Sequence, residues 1–149
     1  MTPSRPGHIV VVLAVKELCA EHTIPTRRTT MQFVMVIYHG STPLPGTPEA
    51  ESVSADDVKA AYADWAALNA LENFTGAPPL GLPADATTVR VEGGSAVTTE
   101  GPNLGVQNAV GGFAVVEAED LDAAIALAAR VPQARMGGAV EIRPSVKYW

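Results

Sequence analysis

The residues of this chain whose types and surroundings could do chemistry are few. His39 follows the apolar run "FVMVIY" and is the only histidine after residue 30. An imidazole titrates near neutral pH, so it can take or give a proton there; the competing reading is a solvated loop residue. Glu100 stands in "TTEGPN", where Gly101 and Pro102 could present a carboxylate from a stiff turn, or could make an ordinary turn and no more. Asn103 lies just beyond it. Arg90 and Arg143 sit on strand-like segments, the latter two positions after Glu141. Such charges form either a structural ion network or a recognition site for an anionic group. The functional reading makes His39 and Glu100 the catalytic pair, with Arg90, Asn103 and Arg143 contacting a ligand. It also expects Glu100 to pair with His39 and raise the imidazole pKa, because a nearby carboxylate favours the charged ring.

Other chemistries find no support. His8, His22 and His39 are far apart, and Cys19 is the lone cysteine, so neither a metal site nor a disulfide is indicated. No cofactor motif is present. Gly111-Gly112 precedes a strand rather than a helix, unlike a phosphate-binding loop. The net charge of −6 argues against direct nucleic-acid binding, which needs a basic face. The apolar run "HIVVVLAV" at 8–15 is too short to span a bilayer and is followed by acids, unlike a secretion signal. A reducing, cytoplasmic setting without membrane attachment is the simplest expectation.

These residues need elements to hold them. "FVMVIY" at 33–38 reads as a central strand. A loop rich in Pro, Gly and Ser follows, then a helix through "SADDVKAAYADWAALNALENF". Ser54 is its N-cap candidate, with Asp57 three residues on. Val58, Ala61, Trp65, Leu68 and Leu71 form its apolar stripe. Tyr62 and Trp65, at helical spacing, read as core. Gly76, Pro78 and Pro79 mark the helix end. "ATTVRV" and "SAVTT" flank a Glu-Gly-Gly turn. "GGFAVVEA" is the next strand, "EDLDAAIALAARVP" a helix capped by Asp120, and "AVEIRP" the last strand. In that second helix Leu121, Ala124, Ile125 and Ala128 are expected to face the core.

The order is β-α-β-β-α-β with a small extra hairpin. This predicts an α+β, ferredoxin-like fold, with helices on one face of an antiparallel sheet. The other face would carry apolar side chains from 33–38 and 112–118, and a second copy of the chain is the simplest cover. All of this falls within 31–149, read as one domain. Residues 1–30 read as an N-terminal extension. Arg27-Arg28-Thr29-Thr30 before Met31 could even encode a ribosome-binding sequence and spacer, making the segment a translated leader. Alternatively 8–15 is an extra strand and 16–22 a helical turn.

The ordered pieces "MQFVMVIY", "ATTVRVEGG", "VTTEGP", "GGFAVVEAEDLDAAIALAARVP" and "GAVEIRP" resemble the YCII-related family of the DGPF type, over roughly residues 31–146. The resemblance implies a homodimeric α/β barrel of ferredoxin-like subunits. It implies an activity still largely undefined, an association of some members with alternative sigma factors, and a histidine–aspartate pair proposed as catalytic in the wider family. The chain departs at the signature itself. Asp-Gly-Pro-Phe is here Glu100-Gly101-Pro102-Asn103, and Gln107 and Asn108 stand where lysine and glutamate are typical. The long loop 98–113 thus resembles the family's signature loop with ionic groups replaced by amides. Three functions follow as expectations. One is a small-molecule-binding or regulatory dimer, acting in company with a sigma factor. The second is an enzyme with His39 as acid/base, and Glu100 or Arg143 orienting the substrate. The third is a structural interaction module without a polar pocket.

Overall fold

A computed structural model of the chain describes residues 29–148. The segments 8–15 and 16–22, read as strand or leader, lie outside the described residues.

Strand β1 (Met31–Tyr38) alternates cleanly: Phe33, Met35 and Ile37 are buried, and Val34, Val36 and Tyr38 are half-exposed. That is a period of two, with one face in the core. Short helix α1 (Pro48–Glu51) and long helix α2 (Ala55–Asn69) follow. Strand β2 (Phe74–Gly76) is next, then a hairpin of β3 (Thr87–Glu92) and β4 (Ser95–Glu100). Strand β5 (Val110–Ala118), helices α3 (Leu121–Ala128) and α4 (Pro132–Arg135), and strand β6 (Ala139–Pro144) complete the order. The main sheet is antiparallel in the order β2-β5-β1-β6, the ferredoxin-like arrangement. Met35 lies opposite Ala114 on one side and Ile142 on the other. Leu68, Ala124, Ala128 and Val131 close over Phe33, Met35 and Val116 to form the core.

The caps are those read from the sequence. Ser54 Oγ accepts from the Asp57 N–H at 3.1 Å, and Asp120 Oδ1 accepts from the Ala123 N–H at 2.8 Å. Each satisfies an amide that the first helical turn leaves without a partner.

Three features differ from expectation. The first helix stops at Asn69, not beyond Phe74. The Ala70 and Leu71 amides donate back to Ala66 and Leu68, and the chain turns. Phe74, 4% exposed, then enters the core from a three-residue edge strand paired with β5. Three residues are too few to show an alternation, so their helical context hid them. Second, both 86–91 and 95–99 belong to the extra hairpin, which pairs only with itself, so the sheet's fourth strand is β2. Third, α3 is rolled relative to the expected face. Ala124 and Ala128 are buried, while Leu121 and Ile125 are about half exposed at 49% and 48%. The small alanines let the helix approach the sheet, and Ala123 and Leu127 pack at its flank.

The helices pack on the face bearing Phe33, Met35 and Ile37. The opposite face carries Val34, Val36, Tyr38, Phe113 and Val115, and no described element covers it. No helix among the described residues is long and apolar enough to cross a membrane.

Candidate functional site

The β1–β5 ladder slips by one residue where β1 ends: Ile37 faces Gly112, but Tyr38 faces Val110. Gly111 is the extra residue, a bulge that stops regular pairing and re-aims the chain. His39 comes next. Its N–H donates to the Ala109 carbonyl at 3.2 Å, and its ring settles over Gly111. A Cβ on Gly111 would lie 2.6 Å from His39 Cε1, so only glycine leaves room for the imidazole. Partial burial lowers the His39 pKa from its ordinary 6.5, because the charged ring loses hydration there. The neutral form is therefore favoured near pH 7.

Past His39 the chain turns sharply. The Thr42 N–H donates to the His39 carbonyl at 2.9 Å, and the Ser41 N–H to the Gly137 carbonyl at 2.9 Å. Gly138 touches the Tyr38 carbonyl so closely that a Cβ would overlap it. The loop after β1 is thus clasped, backbone to backbone, to the loop before β6. The clasp sets His39 and Thr42 beside Gln133 of α4.

These three residues line a cavity of about 350 Å³. Leu44, Pro45, Val53 and Val58 form part of its wall, Tyr62 and Trp65 supply aromatic surface from α2, and Pro132 and Met136 close the α4 side. Among the described residues no Lys, Arg, Asp or Glu takes part in the lining. His39 Nδ1, Thr42 Oγ1 and Gln133 Oε1 are all buried without a hydrogen-bond partner. A buried polar atom left without a partner costs about 1–3 kcal/mol; these three lie behind the cavity surface, closed to a water-sized molecule, and other atoms of the three residues face the cavity.

The other residues singled out in the sequence fall elsewhere. Glu100 ends β4, exposed and opposite Thr87, and is not in the His39 cavity. Burial lowers the His39 pKa, a direction opposite to that of the expected ion pair. The expected rise from Glu100 is therefore corrected to a fall.

Arg90 and Asn103 do meet: Arg90 Nη2 donates to Asn103 Oδ1 at 2.5 Å, tying the hairpin to the signature loop. Asn103 also borders a cavity of about 470 Å³ between 80–86 and 102–110. Arg143 Nε lies 2.5 Å from Glu141 Oε1, and the Tyr38 hydroxyl donates to Glu141 Oε2 at 3.1 Å, all on the uncovered sheet face. The hydrogen bond to Glu141 raises the Tyr38 pKa by favouring the neutral phenol donor. Arg143, with help from Tyr38, holds Glu141 below its ordinary value. Arg143 is thus engaged in an ion network.

Thr42 and Gln133 carried no signal in the sequence, since both lie in unpatterned stretches. Tyr62 and Trp65 did, but were read as core. Tyr62 is 73% exposed, and Trp65 packs partly against the core and partly around the cavity. Among the described residues no group of three or more His, Cys, Asp or Glu could hold a metal ion.

The family model of the YCII-related domain matches residues 31–149 of the chain. No curated protein matches it.

Proposed function

We propose, from the premise that the chain belongs to the YCII-related domain family, that it binds a small organic molecule in the cavity beside His39 and does so as a homodimer. The observation that carries the binding reading is one largely apolar cavity of about 350 Å³, lined by His39, Thr42 and Gln133 among apolar and aromatic side chains. A concave apolar site with a few convergent polar groups is the usual form of a small-molecule site. Such a cavity speaks against a purely structural module. The test is a fragment screen by protein NMR. Shifts focused on His39, Thr42, Trp65 and Gln133 are expected, and shifts confined to other surfaces would overturn the reading.

The dimer reading rests on the uncovered sheet face. Val34, Val36, Phe113 and Val115 form an apolar row there, flanked by Glu141 and Arg143. Antiparallel sheets tolerate one wet face, but an apolar one favours a partner. Two copies packed sheet to sheet about a two-fold axis would bury this row and form the barrel that the resemblance implies.

Catalysis is the second reading, and one observation favours it: partial burial lowers the His39 pKa from 6.5, toward the neutral form that a general base requires. Among the described residues no carboxylate lines the cavity to orient the ring, so binding is the better-supported role.

A further inference from the structure

We infer that the β3–β4 hairpin is a docking arm for a second copy of this chain, its free face with Val89, Val91 and Ala96 packing on that copy. The inference rests on the dimer reading above and adds to it a surface outside the main sheet.

The hairpin has two unlike faces. Residues directly opposite each other in an antiparallel pair share a face. Thr88, Arg90, Val97 and Thr99 therefore stand on one, and Val89, Val91, Ala96 and Thr98 on the other. The first face is held by its own subunit: Thr88 Oγ1 donates to the Gly101 carbonyl at 2.9 Å, and Arg90 Nη2 donates to Asn103 Oδ1. The second face points away from these tethers, and its Val89 and Val91 are 60% and 73% exposed. A two-stranded hairpin alone in water is marginally stable at best, and this one pairs with no other strand among the described residues. Its apolar face thus needs cover that its own tethered subunit does not supply.

Continuity points to a second copy as that cover. Among the described residues, nine of the sixteen exposed large apolar side chains lie between Leu80 and Phe113, so the apolar surface is concentrated here. Along the chain it leads from the hairpin, through Leu104 and Val106, to Val110 and Phe113. Those last two lie opposite Tyr38 and Val36 on the uncovered sheet face. The arm is therefore rooted at the edge of the face on which a second copy is proposed to sit.

Area points the same way. The sheet face is at most four strands wide and eight residues long. At ~4.8 Å per strand and ~3.3 Å per residue its footprint is roughly 500 Å². A standard interface buries about 800 Å² on each partner, so the sheet face alone is small for a lasting dimer. One face of the hairpin adds roughly 200 Å². About a two-fold axis each copy gives an arm and receives one, which brings the contact into the standard range.

The test compares the full chain with the Val89→Ser/Val91→Ser double variant by sedimentation equilibrium. The variant is expected to raise the dimer dissociation constant at least tenfold, since each change counts twice across the axis. Hydrogen exchange of the 87–100 amides in the unaltered chain covers the case in which the variant loses the hairpin altogether. Those amides are expected to exchange at least tenfold more slowly above the dissociation constant than below it. Equal exchange rates at both concentrations, or a dimer of unchanged strength in the variant, would overturn the arm, leave the sheet-to-sheet dimer standing, and assign the free hairpin face to some other partner. A wild-type chain that stays monomeric throughout would overturn the dimer reading itself, and the arm with it.

Discussion

The imidazole of His39 rests directly on the backbone of Gly111: a Cβ at 111 would stand 2.7 Å from Nε2 and 2.6 Å from Cε1. The bulge that breaks the β1–β5 ladder therefore also lies against the His39 ring. Gly111→Ala should push the ring aside, at a cost in stability below the about 1–3 kcal/mol of core overpacking, because only the His39 side-chain end must give. Thermal melting and the His39 ring resonances check both effects. Unchanged resonances would show that the ring has space to swing away.

His39 should titrate below 6.5, because burial disfavours its charged form. The sign for stability follows from proton counts. The unfolded chain binds a proton near pH 6.5, while the folded chain resists until a lower pH. This contribution to stability is full above that range and is lost as pH falls through the unfolded value toward the folded one. His39→Gln should remove that part of the pH dependence. Glu100→Gln should leave the His39 midpoint in place. An NMR titration of wild type and Glu100→Gln decides, and a midpoint that moves with the Glu100 substitution would restore the abandoned pair.

Trp65→Ala should cost about 2 kcal/mol, less than the 3–5 typical of a fully buried aromatic, because Trp65 packs only partly against the core. Denaturant unfolding measures it. A cost at the full value would mean that the cavity side of the ring is covered in solution.

Phe113→Glu should split the proposed dimer while leaving the subunit folded. Phe113 is 47% exposed and lies beside Val36 on the uncovered sheet face. Sedimentation of wild type and variant at micromolar concentration is the measurement; equal mass for both would argue that this face is not the interface.

Glu141→Gln should lower the Tyr38 pKa toward its ordinary value of 10.0, since the hydrogen bond to the Glu141 carboxylate is the main cause of its rise. Ring resonances followed through alkaline pH report it. A Tyr38 midpoint that stays raised would mean that the bond does not persist in solution.

Much of this fold is legible in the amino-acid order. The alternation through Phe33, Met35 and Ile37 marks a strand with one buried face, and the same holds for Ala114 and Val116. Ser54 and Asp120 announce their helices because a capping side chain acts within three residues. The uncovered apolar face follows from the same alternation. These features are local, and periodicity and capping chemistry operate over one or two turns.

What the tertiary structure decided is the meeting of distant segments. Phe74 looks like the tail of a helix until β5 supplies its strand partner. Leu121 and Ile125 have the chemistry of core residues, yet the close approach of α3 buries its alanines instead. His39 could be named as a candidate from its type alone, but its neutral bias comes from burial that only the folded chain creates. Thr42 and Gln133 come to line one cavity with that histidine where the Ser41 amide reaches the Gly137 carbonyl from the other end of the domain. Hydrogen bonds and close packing between loops leave no repeating mark in sequence, so the sequence could determine three strands of the sheet and the helix caps, while the edge strand β2 and the cavity arise from contacts made when distant segments pack.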